Sequence, residues 1–471
     1  MSYKPPPTPF CGFVRDAATN NRVIAESGPM VLVSAPTGTG KTRSVLAPAA
    51  VLWGGPAVVV SSKDDLFQLV AQRRYGPQAL IDLRPDYDAT YPGVEAMSFD
   101  PTKMITTPDQ AVTAANTMMQ MSAVGMGSGV DSVSDAGIWE SNTEGPLAAM
   151  LYAASKNGGG MDWVLLAVDN MEWNDEKLPT AAGWQLAAMA VQDMPLFYNA
   201  LRRTLDMDPK QRDSIALTMR KAVMPWMRLS LRGEQPEAFT ADFLDDPQAT
   251  LFVLSSPEGA IAGAAVTLLE NLIKLWRAKT ARKEMLHRLL VVIDEAANVA
   301  PMPALRRHVG EGRGLGVNLL LAVQASSQFD TVYGSAYANE LRDIFPAALI
   351  LFGAPEMEML RRAEEWSLLT TRRQESFDQA SGAKTLSSNT DSTLDYRRLL
   401  PANLRKGRLL LRGTPGVETE LIDWSEFVVL YDQHVRELTA KRTQTPPARN
   451  TLWGRAAARH HRAVESTRTP Q

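Results

Sequence analysis

Six short apolar runs, rich in β-branched residues and each bounded by turn or cap residues, constrain the fold of this chain most strongly. They are Pro29–Ser34, Ala57–Ser61, Thr250–Ser255, Leu289–Ile293, Asn318–Val323 and Ala347–Phe352. Continuous apolar runs of this length, separated by helical stretches, are typical of parallel strands that are buried on both faces. We therefore predict an α/β fold with a mostly parallel sheet, to which the run Gly407–Gly413 adds one more strand.

The pattern changes between Pro101 and Phe243, where alanine, methionine, leucine and tryptophan replace the β-branched runs. Amphipathic periodicity predicts helices in this stretch. They are Ala111–Met121, Ile138–Ser155, Asp162–Asn170, Ala181–Ala190 and Ser214–Leu231. Asp162 and Asp213 stand where helix N-caps are expected. We therefore expect an all-α domain inserted into the α/β domain, with Gly125–Gly129 in a loop of the insertion.

These changes of pattern predict four segments. Residues 1–100 and 244–435 are the two parts of the α/β domain, residues 101–243 are the helical insertion, and residues 436–471 are a tail. The polar stretch Thr370–Tyr396 is rich in serine, threonine and charge, which predicts a long loop. Residues 436–471 are predominantly basic and are predicted to be a disordered or loosely docked tail.

Composition excludes several classes of protein. The 471 residues contain 49 Lys and Arg against 52 Asp and Glu, so any DNA contact must use a local basic patch. Cys11 is the only cysteine, which excludes an intrachain disulfide and a multi-thiolate metal site. No apolar run approaches the roughly 18–20 residues of a membrane helix, and the first residues lack the pattern of a signal peptide. We therefore expect a cytoplasmic chain without a transmembrane segment.

A phosphate-binding pattern follows the first apolar run. Residues Ala35–Thr42 read Ala-Pro-Thr-Gly-Thr-Gly-Lys-Thr and precede a helical stretch. Glycines allow successive backbone N–H groups to turn toward a phosphate, and the next helix points its positive end at the same anion. Lys41 would reach the β- and γ-phosphates of ATP, and the Thr42 hydroxyl would ligate Mg²⁺. The predicted nucleotide-binding residues are Thr37, Gly38, Thr39, Gly40, Lys41, Thr42 and Arg43.

A second motif lies where the run Leu289–Ile293 ends in Asp294 and Glu295. Ligands bind at the carboxyl ends of strands in open α/β sheets. Asp294 would hold Mg²⁺ through water, and Glu295 would polarise the attacking water. By itself, an apolar strand that ends in Asp-Glu is most often only a strand that enters a loop. Its pairing with the P-loop favours a catalytic role, and favours hydrolysis over phosphate transfer to a small molecule.

Two further residues are candidates for catalysis. Gln324 ends the next predicted strand and would lie beside the two carboxylates if the strands are neighbours, where it could sense the γ-phosphate. A simple strand-end hydrogen bond explains it equally well. Arg313 lies in the glycine-rich stretch Gly310–Gly316, which could project it into a neighbouring subunit as an arginine finger. Arg306 and Arg307 are less well placed competitors for that role.

At these residues the sequence resembles the conjugative coupling proteins of type IV secretion systems, the TraG- and TrwB-like family. These proteins belong to the wider RecA-like group of P-loop ATPases that includes FtsK and HerA. The resemblance rests on three stretches, of which the second is the most specific. They are APTGTGKTRSVLAP, VVIDEAANVAPMPALRRHVGEGRGLGVNLLLAVQASSQFDTVYG and ILFGAPEMEMLRRAEEWSLLTT.

The resemblance also covers the helical insertion, where IWESNTEGPLAAMLYAAS is similar to the family's tryptophan-bearing helix. It implies Walker A roles for Lys41 and Thr42, Walker B roles for Asp294 and Glu295, a sensor role for Gln324 and a finger role for Arg313. Two departures stand out. The family's Asp-Pro-Lys-Gly-Glu-like stretch reads Ser61-Ser-Lys-Asp-Asp65 here, and the transmembrane helices with which most members begin are missing.

The resemblance implies an ATPase that delivers DNA, or DNA bound to protein, to a secretion channel. The implied partners are single-stranded or relaxase-bound DNA, relaxosome or effector proteins, components of the inner-membrane channel, and further copies of the chain in a hexamer. It also implies a position at the cytoplasmic face of the inner or cell membrane. Two alternatives are a DNA translocase of the FtsK or HerA kind, for segregation or repair, and a nucleotide-gated substrate receptor with little ATPase activity.

Overall fold

The computed structural model describes residues 7–84, 91–123, 135–174, 178–257, 259–284, 287–366, 369–377, 384–392 and 395–444. Backbone contacts divide the chain into two compact units, Met1–Leu421 and Ile422–Gln471. The first unit contains every residue of the candidate site. The second contains the helix α16.

Fourteen strands are found in the described residues. They are β1 (Phe13–Arg15), β2 (Arg22–Ile24), β3 (Met30–Ser34), β4 (Ala57–Ser61), β5 (Gln78–Asp82), β6 (Glu95–Met97), β7 (Thr250–Leu254), β8 (Leu289–Ile293), β9 (Val317–Val323), β10 (Ala347–Leu351), β11 (Leu369–Phe377), β12 (Lys384–Ser392), β13 (Lys406–Leu411) and β14 (Val417–Glu420). Twelve of them form one sheet in the order β2-β1-β14-β13-β10-β3-β9-β8-β4-β7-β5-β6.

The six strands at the centre of this sheet, from β10 to β7, are the six that the apolar runs predicted. Within this group of six, neighbouring strands pair in parallel, and nearly all of their side chains are buried because helices cover both faces. The predicted α/β fold with a mostly parallel sheet is confirmed. The antiparallel edge from β13 to β2 is added by short strands, most of which carry too few apolar residues for a sequence signal.

Sixteen helices are found in the same residues. They are α1 (Ala47–Leu52), α2 (Asp64–Ala71), α3 (Pro108–Ala123), α4 (Asp135–Asn157), α5 (Gly160–Asp169), α6 (Trp184–Ala190), α7 (Pro195–Leu205), α8 (Pro209–Ser230), α9 (Gly259–Ala281), α10 (Ala296–Val299), α11 (Leu305–Glu311), α12 (Gln328–Tyr333), α13 (Ser335–Ile344), α14 (Met357–Glu365), α15 (Tyr396–Leu399) and α16 (Trp424–Gln444). No helix among the described residues combines the length and hydropathy that crossing a membrane requires.

The chain between β6 and β7 is helical in its described parts, and it includes all five predicted helices and α7. Helix α3 packs against α9, which covers the sheet, so the helical segment and the sheet share one apolar core. The largest buried side chains of this core include Trp184 in the helical segment and Trp276 in α9. The division into an α/β domain and an inserted domain stays a prediction.

Both predicted N-caps in the helical segment were wrong. Asp162 lies inside the first turn of α5, whose N-cap is Gly159. The N-cap of α8 is Asp208, which accepts a hydrogen bond from the backbone N–H of Lys210 at 3.0 Å. Asp213 lies one turn later because Pro209, which is well suited to the first helical position, starts this helix earlier than predicted.

Two predictions in the C-terminal third need correction. The stretch Thr370–Tyr396 was predicted to be a long loop, but β11 and β12 pair antiparallel in it, from Leu369 opposite Ser392 to Phe377 opposite Lys384. The tail was predicted to begin at residue 436, yet α16 continues to Gln444. Residues 445–471 and the predicted loop Gly125–Gly129 lie outside the described part of the chain.

Candidate nucleotide site

The loop after β3 has the backbone of a phosphate-binding turn. Gly38 and Gly40 have φ angles of +81° and +85°, a region that glycine enters without steric cost. The Thr39 hydroxyl donates to the carbonyl of Pro36 at 2.7 Å and closes the turn. Alternation of such conformations turns successive N–H groups to one side, where they can bind an anion.

The loop enters a helix directly, as the sequence predicted. Helical turns begin at Thr42 and continue into α1, and the backbone N–H of Ser44 donates to the carbonyl of Gly40 at 2.8 Å. Thr37 and Gly38 at the loop tip are exposed, and so is Arg43. The positive end of the helix therefore lies beside a loop that solvent and ligands can reach.

Sheet order brings the second motif to the same place. Strand β9 lies between β3 and β8, and all three run parallel, so their carboxyl ends share one edge. The Lys41 ammonium lies 3.1 Å from Oδ1 of Asp294. The Thr42 hydroxyl donates to Oδ2 of the same carboxylate at 3.2 Å. The P-loop and the end of β8 therefore meet on a single aspartate.

This contact is shielded from water. The side chains of Lys41 and Asp294 are 10% and 9% exposed, so their attraction is only weakly screened. Oδ1 of Asp294 is buried and accepts no hydrogen bond from the described residues, although the Lys41 ammonium lies 3.1 Å away. A buried carboxylate oxygen with unused acceptor capacity, next to a threonine hydroxyl, is a donor set that suits Mg²⁺.

Glu295 adopts a left-handed backbone conformation with φ 53° and ψ 47°. This conformation is unfavourable for a glutamate and is typical of functional positions. Its Oε1 lies 3.6 Å from the ammonium of Lys63, which follows β4, the other neighbour of β8. The sequence contains Lys63 in Ser61-Ser-Lys-Asp-Asp65, but only the fold brings it to Glu295.

Gln324 follows β9, between the ends of β3 and β8. Val323 is paired with Ser34, and the backbone N–H of Ala35 donates to the carbonyl of Val323 at 3.1 Å. The backbone N–H of Gln324 donates to the side chain of Gln328 at 2.9 Å. The condition that its strand neighbours the strand of the two carboxylates is met, and β3 lies on its other side. The role of Gln324 as a sensor stays a prediction.

Arg313 lies at the opposite edge of the sheet. Its backbone is in a turn, Gly312–Leu315, directly before β9, while Gln324 comes directly after this strand. Seven residues of strand separate the two positions by about 23 Å. Arg313 therefore does not belong to the nucleotide site of its own chain.

Buried polar residues that sequence reasoning missed support the same edge. Glu356, at the N-cap of α14, is 5% exposed and accepts hydrogen bonds from Ser34 and Ser326. Nothing in the local sequence marks it, because its partner Ser34 is 322 positions away along the chain.

The sequence profile of the family described as "Type IV secretory system Conjugative DNA transfer" matches residues 12–404. The chain belongs to this family. Most of the first structural unit, with the whole candidate site, lies within the matched region. No protein with a curated description matches the sequence significantly.

Solved structures of coupling proteins share the fold of this family member. The unbound form of the bacterial conjugative coupling protein TrwBdeltaN70 has a TM-score of 0.55 and 17% identity, over 85% of this chain and 86% of that chain. Plasmid coupling protein TrwB in complex with ADP and Mg²⁺ has a TM-score of 0.54 and 17% identity, over 84% and 86%. TrwB in complex with the GTP analogue GDPNP has a TM-score of 0.55 and 18% identity, over 84% and 85%.

Proposed function

We propose that this chain is an ATP-hydrolysing coupling protein that delivers DNA, or DNA bound to protein, to a type IV secretion channel. The observation that carries the proposal is the convergence of Lys41 and Thr42 on Asp294, which joins a phosphate-binding loop to a carboxylate pair. Membership of a conjugative DNA transfer family supports the DNA substrate.

The proposed ligands are ATP and Mg²⁺. Solved structures of TrwB, which share this fold, are described with ADP and Mg²⁺ and with a non-hydrolysable ATP analogue. The loop from Thr37 to Arg43 would hold the phosphates, with Lys41 neutralising their charge. Thr42 and Asp294 would hold Mg²⁺, which supplies further charge neutralisation at the phosphates when bound.

Glu295 is the proposed general base. Its carboxylate would accept a proton from water as the water oxygen attacks the γ-phosphorus, and the products would be ADP and phosphate. The ammonium of Lys63 lies 3.6 Å from this carboxylate, whose side chain is 18% exposed, and would help to orient it. Gln324 would respond to the loss of the γ-phosphate at the carboxyl end of β9.

The proposed assembly is a hexamer at the cytoplasmic face of the membrane, in contact with relaxosome or effector proteins and with channel components. If Arg313 acts as a finger, its position at the opposite edge of the sheet means that it can reach a phosphate only in a neighbouring subunit. Arginine fingers supplied by a neighbour stabilise the charge of the departing phosphate.

Two variants separate binding from hydrolysis. Lys41→Ala removes the charge that neutralises bound phosphate, so we expect weaker binding of a fluorescent ATP analogue and turnover lower by about 10²-fold or more. Glu295→Gln removes only the base, so we expect near-normal binding and turnover lower by about 10²–10⁴-fold. Lys103→Ala and Glu237→Gln, which change exposed residues away from the site, serve as controls. Normal turnover by Glu295→Gln would contradict the assignment of the base.

A further inference from the structure

A buried carboxylate lies between the nucleotide loop and the turn that carries Gln324. Glu356 follows β10, and its Oε1 accepts the hydroxyl of Ser34 and the backbone N–H of Ser326, both at 2.6 Å. Its Oε2 accepts the hydroxyl of Ser326 at 2.7 Å. Ser34, Ser326 and Glu356 are all at most 5% exposed. Buried charge-assisted hydrogen bonds of this kind are strong and directional.

Arg342 fixes the direction of these hydrogen bonds. Its Nε–H donates to the hydroxyl oxygen of Ser326 at 3.0 Å, and its Nη2 donates to the carbonyl of Ser326 at 3.0 Å. The hydroxyl proton of Ser326 must therefore point to Glu356, which accepts three donors as an ionised carboxylate does. Arg342 also pairs with Asp330 in α12, so the guanidinium that contacts Ser326 is held in place.

The two serines lie at the two loops that would face the γ-phosphate, one directly before its loop and one within it. Ser34 is the last residue of β3, directly before the P-loop, and Ser326 lies two residues after Gln324. One side chain therefore holds both loops, although they come from different strands. The Ser326 turn continues into α12 and, through Arg342, is tied to α13.

We propose that Glu356 is a positioning residue that couples the P-loop to the Gln324 turn, so that nucleotide bound at the first changes the second and the helices behind it. This inference rests on the proposed function, since it concerns the response to ATP. A movement of the P-loop reaches the turn by way of Ser34, the Glu356 carboxylate and Ser326. Glu356 touches neither nucleotide nor water in this scheme, so its effect is on coupling.

The test compares Glu356→Gln with Glu358→Gln. The second variant makes the same change two residues later, at an exposed side chain that pairs with Arg362 and with no other described residue. A glutamine at 356 presents N–H donors where three donors already converge, so at least one contact is lost. We expect the nucleotide affinity of Glu356→Gln to stay within about twofold of that of the unchanged protein. We expect its turnover to fall to about a tenth of the unchanged value or below. Glu358→Gln should match the unchanged protein.

Amide hydrogen exchange distinguishes the proposed coupling role of Glu356 from a merely structural role. In the unchanged protein, a non-hydrolysable ATP analogue should slow exchange in residues 324–333. In Glu356→Gln the same analogue, bound at saturation, should leave exchange there unchanged. A normal nucleotide response in 324–333 would overturn the proposal, whatever the turnover.

A second variant keeps the test decisive if Glu356→Gln does not fold. Ser34→Ala removes only the hydroxyl that joins β3 to Glu356 and leaves the contacts of Ser326 in place. It should bind nucleotide and lose the exchange response, and a full response would overturn the proposal. Failure of the proposed function is seen separately, because the unchanged protein would then not bind the analogue at all.

Discussion

Asp294 is the residue on which the candidate site depends. It receives the ammonium of Lys41 and the hydroxyl of Thr42 in a place where little water screens them. The same carboxylate is the proposed Mg²⁺ ligand, so the metal and Lys41 share one negative charge. With Mg²⁺ bound, Lys41 and the metal would place two cations where a triphosphate carries its negative charge, which is the electrostatic basis of the proposed activity.

The thiol of Cys11 offers a test at the residue scale that does not depend on function. Cys11 is fully buried, and burial raises its pKa to about 12, only partly offset by a hydrogen bond with Ser27. At pH 8 the thiolate fraction is then about 10⁻⁴, compared with about a quarter for an exposed thiol. We expect a thiol reagent to leave the folded protein unlabelled at pH 8 and to label it at once in denaturant. Rapid labelling of the folded protein would contradict this burial.

Some residues of the candidate site could be predicted from the sequence and others could not. Lys41, Thr42, Asp294 and Glu295 could be predicted because each stands in a short motif whose neighbours define its chemistry. Lys63 and Glu356 could not be assigned roles, because their partners are far away in the chain and only the strand order brings them together.

At the scale of elements, the buried apolar strands could be predicted from the sequence, and the pairing of polar strands could not. The central strands are apolar on both faces, and that signal is local. Strands β11 and β12 contain threonine, serine, arginine and glutamine instead of apolar alternation, so they read as a loop, although their backbones pair along nine residues each. The N-cap of α8 was misplaced for a related reason, since two aspartates compete and the position of Pro209 decides between them.

The turn before β9 supports a prediction about stability. Gly316 has a φ of +73°, and a Cβ there would lie 1.9 Å from the hydroxyl oxygen of Thr280 in α9. Gly316→Ala should therefore destabilise the protein by about 2–4 kcal/mol through backbone strain and overpacking, and lower its thermal midpoint. Gly314→Ala, where a Cβ meets nothing within 4 Å, is the matched control. Equal thermal midpoints for the two variants would show that this close approach to α9 is absent.

At the scale of the whole molecule, the parallel sheet holds the candidate nucleotide site and Arg313 at opposite edges. Its carboxyl edge carries the P-loop, the carboxylate pair and Gln324, and its amino edge carries Arg313. If Arg313 acts as the proposed finger, one chain holds the nucleotide loop and a neighbouring chain supplies the arginine. The net charge of −3 gives DNA no general attraction, so the proposed DNA binding would need a local basic patch.

ATP turnover measured against protein concentration, with and without DNA, distinguishes a DNA-coupled ATPase with sites between subunits from one that acts as a single chain. If the chain is a DNA-coupled ATPase whose sites are completed between subunits, turnover per chain should rise with protein concentration and rise further when single-stranded DNA is added. Arg313→Ala should remove most of this activity, by about 10³-fold or more, while nucleotide affinity stays nearly unchanged. Turnover per chain that is constant over a wide concentration range and indifferent to DNA would contradict the account.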